Sequence, residues 1–269
     1  MNVFHTPQEM TTWAQEQRRA GRRIGFVPTM GYLHAGHLSL VTEAKKHADM
    51  VVVSIFVNPT QFGPHEDFEK YPRDEQRDMT LCKETGVAAV FLPTPSAMYA
   101  PDASVFVDEA TLQHGLCGER RPGHFRGVCT VVAKLFNLVL PDVAVFGQKD
   151  FQQAAIIRRM VRDLNFPIEI IVAPTLRESD GLAMSSRNAY LNTEERQQAV
   201  GLSRALDAIS GDTPRLMMRD VLEQHGLRVD YVEIVDADTL VPVEKVAKGN
   251  VALIAAYCGK TRLIDNRVL

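Results

Sequence analysis

The sequence predicts an α/β protein: a Rossmann-like, doubly wound parallel sheet with a smaller C-terminal α+β domain. Two observations predict it. Over the first two-thirds of the chain, short β-branched apolar runs alternate with amphipathic stretches, the pattern of strands buried on both faces between helices. After about residue 186 the order changes, and helical stretches are followed by strands instead of interleaving with them. The expected domains are therefore 1–186, the Rossmann-like domain, and 187–269, the small α+β domain.

The first well-defined strand candidate is Ile24–Thr29, followed by a helical pattern carrying Leu40, Val41, Ala44 and Ala48. Met50–Val57 comes next, too short to span a membrane and suited to a buried strand. Ala88–Leu92, Ser104–Val107, Val143–Phe146 and Ile168–Val172 complete the expected sheet. Between them, Val128, Val131, Val132, Leu135, Phe136 and Val139 fall on one helical face, as do Ile157, Met160, Val161 and Leu164. Both stripes read as core. Thr193–Ile209 and Pro214–His225 are then helical, and Arg228–Val235, Val251–Tyr257 and Thr261–Ile264 read as strands. A doubly wound sheet holds its ligand at the carboxyl ends of its strands.

Composition narrows the function classes. With 45% hydrophobic and 23% charged residues, the chain has the make-up of a folded soluble protein. A net charge of −3 gives no basic surplus for nucleic acid, and no apolar run reaches membrane-spanning length. The N-terminal region lacks an apolar signal core. Cys82, Cys117, Cys129 and Cys258 show no Cys-x-x-Cys spacing, which fits free thiols in a reducing cytosol.

The most informative motif is Pro28-Thr29-Met30-Gly31-Tyr32-Leu33-His34-Ala35-Gly36-His37, where a strand ends, the chain turns through glycine and a helix begins. A helix N-terminus offers unpaired N–H groups and a positive dipole end, suited to phosphate. His34 and His37, three apart, can share one face. The pair suits a polyphosphate, but by itself also suits a metal pair or surface histidines.

Four further clusters sit at element ends. In Gly147-Gln148-Lys149-Asp150, glycine permits close backbone approach, Lys149 can meet phosphate or face water, and Asp150 is a good N-cap. Gln153, one turn on, would project toward the same strand end. Met184-Ser185-Ser186-Arg187 can close over phosphates or serve as a polar linker, and nearby Arg177 and Asp180 can bind one another or a ligand. Asn58 and Gln61 offer neutral donors and acceptors for a hydroxy acid, or Asn58 simply forms a turn. Arg121–Gly127 has the composition of a mobile loop whose basic residues touch phosphate or water.

Taken in order, these clusters resemble the pantoate–β-alanine ligase family. The residues that carry the resemblance are Pro28-Thr29-Met30-Gly31 with His34-Ala35-Gly36-His37, Asn58-Pro59-Thr60-Gln61-Phe62, Tyr71-Pro72-Arg73, Arg121-Pro122-Gly123-His124-Phe125, Phe146 to Gln153 and Asp180 to Asn188. Nucleotidylyltransferases and class I aminoacyl-tRNA synthetases are wider relatives.

The resemblance implies ATP-dependent condensation of D-pantoate with β-alanine through pantoyl adenylate, releasing AMP and pyrophosphate. It implies an ATP- and pantoate-binding domain over 1–186 and a lid over 187–269. Catalytic parts fall to His37, the usual proton donor of the family, with His34 and Lys149. ATP would be met by Met30, Gly31, Tyr32, Leu33, His34, Ala35, Gly36 and His37. Gly147, Gln148, Lys149, Asp150, Leu176, Met184, Ser185, Ser186 and Arg187 would also meet it. Gln61 and Gln153 would bind pantoate, and Gln61 β-alanine as well. Mg²⁺ would accompany ATP, its ligands undefined, with no tightly bound organic cofactor. A cytoplasmic homodimer is implied, acting on small molecules without nucleic acid or membrane. Two positions depart from the family: Gln148 stands where many members have glutamate, and Cys117 where some do.

Overall fold

Six parallel strands, in the order Asn2–Phe4, Ala89–Phe91, Met50–Ile55, Ile24–Thr29, Val143–Gly147 and Glu169–Ala173, form the main sheet of the computed structural model, which describes residues 1–64 and 66–269. The elements are β1 (Asn2–Phe4), α1 (Pro7–Arg19), β2 (Ile24–Thr29), α2 (Ala35–Ala44), β3 (Met50–Ile55), α3 (Glu75–Glu84) and β4 (Ala89–Phe91). They continue with α4 (Pro95–Met98), α5 (Leu116–Arg120), α6 (His124–Val139), β5 (Val143–Gly147), α7 (Phe151–Asp163) and β6 (Glu169–Ala173). Helices α8 (Thr193–Ala199), α9 (Gly201–Asp207) and α10 (Pro214–Gln224) precede β7 (Arg228–Val235), β8 (Val251–Cys258) and β9 (Thr261–Val268).

The chain divides into two compact units. The first comprises Met1–Gly147 and Ile156–Ala173, the second Gln148–Ala155 and Pro174–Leu269. The sequence pattern predicts a boundary at 186, whereas here Pro174–Ser186 groups with the second unit. One cause is the bidentate pair of Arg177 with Asp265 of β9, at 2.6 and 2.9 Å.

In the first unit, β2 pairs with β3 on one side and β5 on the other. Connections run in opposite directions from this point, so the carboxyl ends of β2 and β5 flank a topological switch point. The expected α6 stripe is core: Val128, Val131, Val132, Leu135, Phe136 and Val139 are all buried. The second stripe is only partly so, since Ile157 and Met160 are buried but Leu164, beyond the end of α7, is 52% exposed.

Ser104–Val107 is not a strand. Its apolar residues find no sheet to enter: Val105 and Phe106 are exposed, and Val107 N–H donates to the Thr130 hydroxyl at 3.0 Å. Conversely, β1 is a short edge strand, paired with β4 through Asn2–Phe4, that the apolar pattern does not announce. The expected helix Thr193–Ile209 is two helices, broken at Val200.

The second unit carries the antiparallel sheet β7-β8-β9. Its core joins Leu202, Leu206, Met218 and Leu222 of the helices to Val232, Ile234, Ile254 and Leu263 of the sheet. Strand β9 runs beyond the expected Ile264 to Val268, because Asp265 and Asn266 are buried polar residues that interrupt the apolar signal.

Candidate active site

The motif after β2 forms a tight, heavily anchored turn. Gly31 has φ +83° and Tyr32 φ +51°, so two successive residues occupy the left-handed region. Thr29 Oγ1 accepts from Gly31 N–H at 3.1 Å and donates to the Ser54 carbonyl at 2.7 Å. His34 is then the N-cap of α2. Its Nδ1 accepts from Gly36 N–H at 3.1 Å, while the Nδ1 of His37 accepts from His34 N–H at 3.3 Å. This is a capping box built from two histidines, where Ser/Thr and Glu/Gln are usual. In neutral rings these bonds place the proton on Nε2 of each imidazole. Both rings thus become N–H donors at the start of a helix whose dipole favours anions.

At the end of β3, Asn58 is buried and serves structure. Its amide nitrogen donates to Gln61 Oε1 at 3.1 Å and to the Gly127 carbonyl at 3.2 Å, and its oxygen accepts from the Tyr99 hydroxyl at 2.9 Å. The Gln61 amide is thereby oriented with its oxygen held and its nitrogen 3.1 Å from Met30 Sδ. Helix α6 approaches this turn so closely that a Cβ at Gly127 would lie 2.4 Å from the Thr60 carbonyl oxygen.

Arg121 and His124 belong to the same scaffold. The Arg121 guanidinium grips Glu66 bidentately at 2.6 and 2.7 Å and lies 2.9 Å from His124 Nε2. As guanidinium only donates, His124 Nε2 accepts, leaving Nδ1–H to donate to the Gln61 carbonyl at 2.8 Å. Burial tends to raise the Glu66 carboxyl, but the hydrogen bond and charge of Arg121 outweigh it and hold the group below its ordinary value. Arg126 stacks its guanidinium 3.9 Å over the Phe106 ring. Arg121 and His124 therefore hold protein groups here, while Arg126 stays exposed beside its ring partner.

The second unit gathers another set. Asn266 Nδ2 donates to the carbonyls of Gln148 and Lys149, both at 2.9 Å, and Gln148 Nε2 donates to Asn266 Oδ1 at 3.2 Å. Lys149 sits 3.7 Å from Asp150 and lines a crevice with Ser185, Asn188 and Asp265. The stretch Leu176–Met184 is closed by an isolated antiparallel bridge between Arg177 and Ala183, with Met184 N–H donating to the Leu176 carbonyl at 3.0 Å. Ser185 Oγ accepts from Arg187 N–H at 3.3 Å, starting the turn that holds buried Ser186. Arg177 and Asp180 do not pair with each other: Arg177 binds Asp265, and Asp180 binds Arg196 at 2.7 Å.

The structure thus brings Met30 to His37 together with Gln61 in one unit, and Lys149 together with Ser185 in the other. Gln153 lies in the first turn of α7, half-buried. The residues missed from sequence are supports: Asp78, Glu66, Tyr99 and Asn266. Their partners lie dozens of residues away, and only the buried polar character of Asp265-Asn266 in an apolar strand offers a local signal. Among the described residues, no group of three or more His, Cys, Asp or Glu forms a metal-binding cluster. All four cysteines are buried, and none forms a disulfide. No helix among the described residues is long and apolar enough to cross a membrane.

A parallel sheet with its polar machinery at the carboxyl edge of β2 and β3 defines the class, a Rossmann-like α/β enzyme. The sequence profile of the family described as Pantoate-beta-alanine ligase matches residues 2–268, and the chain belongs to that family, whose members are amide-forming ligases. It is 53% identical to the pantothenate synthetase of Thermotoga neapolitana, covering 100% of both chains. It is 52% identical to that of Sulfurihydrogenibium sp. (strain YO3AOP1), with 99% of each covered. The pantothenate synthetase structure from Thermus thermophilus superposes with a TM-score of 0.93 at 44% identity, covering 100% of this chain and 99% of that one. The pantoate-beta-alanine ligase of Francisella tularensis, complexed with beta-gamma ATP and beta-alanine, gives a TM-score of 0.88 at 32% identity, covering 100% and 97%.

Proposed function

We propose that His34, His37 and Lys149 serve the first of two steps by which this ligase joins D-pantoate to β-alanine. In that step the pantoate carboxylate attacks the α-phosphorus of ATP, forming pantoyl adenylate and releasing pyrophosphate. A carboxylate is already nucleophilic at neutral pH and needs no general base; what the step needs is stabilisation of charge on the phosphates. The observation that carries the reading is the histidine capping box. It fixes both Nδ1 atoms as acceptors and so makes Nε2–H of each ring a donor beside a helix N-terminus. His37, the proton donor implied by family resemblance, acts in this reading as a hydrogen-bond donor from a neutral ring.

Lys149 supplies a point charge, and Met30 to His37, Gly147 to Asp150, Leu176 and Met184 to Arg187 are assigned to ATP on the same resemblance. Mg²⁺ enters with ATP as part of the substrate and neutralises phosphate charge. Gln61 and Gln153 are assigned to pantoate. The first fits, because its carboxamide is pre-oriented by Asn58 and its backbone is held by His124. In the second step the β-alanine amine, deprotonated, attacks the acyl carbon, and AMP leaves; Gln61 is assigned to this substrate too. No covalent enzyme intermediate is needed.

The implied homodimer and cytoplasmic setting belong to the same proposal. Exposed Val105 and Phe106 give a subunit contact apolar material, and four cysteines outside any disulfide suit a reducing compartment. The test is to mix the protein with ATP, D-pantoate and β-alanine and follow AMP. AMP formation that requires both co-substrates is the expected result; AMP release independent of pantoate contradicts the reading.

A further inference from the structure

The turn that delivers His34 and His37 does not hold itself. Tyr32 and Leu33 point their N–H groups at Asp78 of α3, whose two carboxylate oxygens accept them separately: Oδ2 from Tyr32 and Oδ1 from Leu33, both at 2.7 Å. Asp78 is 1% exposed. Such short bonds from backbone N–H to a buried charge are among the stronger hydrogen bonds a protein makes. They secure the two left-handed residues, Gly31 and Tyr32, and the fit leaves little slack. A Cβ at Gly31 would lie 3.0 Å from Asp78 Oδ2 and 2.9 Å from Ile55 Cγ2. Arg77, the neighbour of Asp78, adds a second hold, its guanidinium 5.4 Å from the centre of the Tyr32 ring. Burial pushes the Asp78 carboxyl above its ordinary value although both backbone bonds pull it down.

We infer that Asp78 is a positioning residue for the nucleotide step, clamping the Gly31–Leu33 turn so that the histidine capping box starts at a fixed place. This rests on the assignment of His34 and His37 to adenylate formation. The carboxylate touches no substrate in this role. Both of its oxygens are spent on backbone, and its effect reaches the phosphates through the turn. A carboxamide cannot replace it. An asparagine side chain here would offer one acceptor oxygen and present an NH₂ group to the other N–H, though it would fill the same space and remove a buried charge.

The test is Asp78→Asn in the full-length protein, with three measurements: thermal unfolding, pantoate-dependent exchange of pyrophosphate into ATP, and turnover of preformed pantoyl adenylate with β-alanine. The expected variant is folded, with exchange lowered roughly 10- to 100-fold, the scale of a small misplacement of a catalytic group. Adenylate turnover should stay near the parent's. A folded variant that exchanges at the parent rate overturns the inference, as does equal loss in both half-reactions, which marks a merely structural residue. If the variant does not fold, hydrogen exchange of the parent decides. The Tyr32 and Leu33 amides should exchange as slowly as those of β2, and fast exchange overturns the clamp. A parent that shows no pantoate-dependent exchange refutes the proposed function itself, a result separable from failure of Asp78 alone.

Discussion

The imidazole rings of His34 and His37 lie 4.1 Å apart, centroid to centroid, and each spends its Nδ1 on a backbone N–H at the start of α2. One pair of side chains therefore has two duties, capping a helix and presenting donors from the opposite ring nitrogens. The duties separate by mutation. Asn is a good N-cap but has no imidazole. His34→Asn should keep stability within about 0.5 kcal/mol, whereas His34→Ala should lose about 1 kcal/mol. Both should slow adenylate formation strongly. Urea unfolding combined with pyrophosphate exchange checks this, and an Asn variant as fast as the parent would remove the ring from the chemistry.

The Glu66–Arg121 pair supplies a pH dependence. The folded-state value of Glu66 is depressed below 4.5, so its stabilisation is complete above that value and lost as pH falls through the folded-state value. Glu66→Gln should lower stability at pH 7 by about 1.5–3 kcal/mol, the scale of hydrogen bonds to a charged group. The deficit should shrink in acid as the parent loses its own advantage. Urea midpoints at pH 7 and in the acid range measure both; a deficit that grows on acidification would reverse the assigned sign.

Asp265 has a side chain only 1% exposed, and Arg177 is its ion-pair partner. Removing the guanidinium alone strands a buried carboxylate. Arg177→Ala should cost about 3–5 kcal/mol in equilibrium unfolding of the second unit, far above a surface ion pair. A change below about 1 kcal/mol would mean that water or another group solvates Asp265 readily.

Thiol chemistry should be irrelevant to turnover. Burial, with a nearby carboxylate adding to it, pushes the Cys82 and Cys129 thiols up to about 12, and Cys117 and Cys258 are buried too. Iodoacetamide at neutral pH should label the folded protein slowly and leave its rate unchanged. Rapid inactivation that substrates prevent would bring a cysteine into the site.

The legible parts of this molecule were local. Met50–Val57 and Val143–Phe146 are apolar β-branched runs, and the structure makes strands within or across them, Met50–Ile55 and Val143–Gly147. The turn after β2 was readable because a glycine, a strand end and two histidines fall within ten consecutive residues. Ser104–Val107 has the same composition as a strand but no neighbour to pair with, a fact that no window of sequence contains. The supports were hidden for the same reason. Asp78 is 46 residues from Tyr32, and Glu66 is 55 from Arg121, so each reads locally as an ordinary polar residue. Asn58 looked equally suited to a turn or to substrate, and only its partners, Gln61, Gly127, Tyr99 and Thr60, show that its polar atoms are already used.

The most direct test of the central claim is pyrophosphate exchange without β-alanine. The protein is incubated with ATP, D-pantoate and labelled pyrophosphate, and label in ATP is followed. If pantoate is activated as an acyl adenylate beside His34 and His37, label enters ATP only when pantoate is present, and His37→Ala slows its entry while folding is retained. Absence of pantoate-dependent exchange in a preparation that still makes amide from all three substrates would contradict the adenylate route and the roles assigned to both histidines.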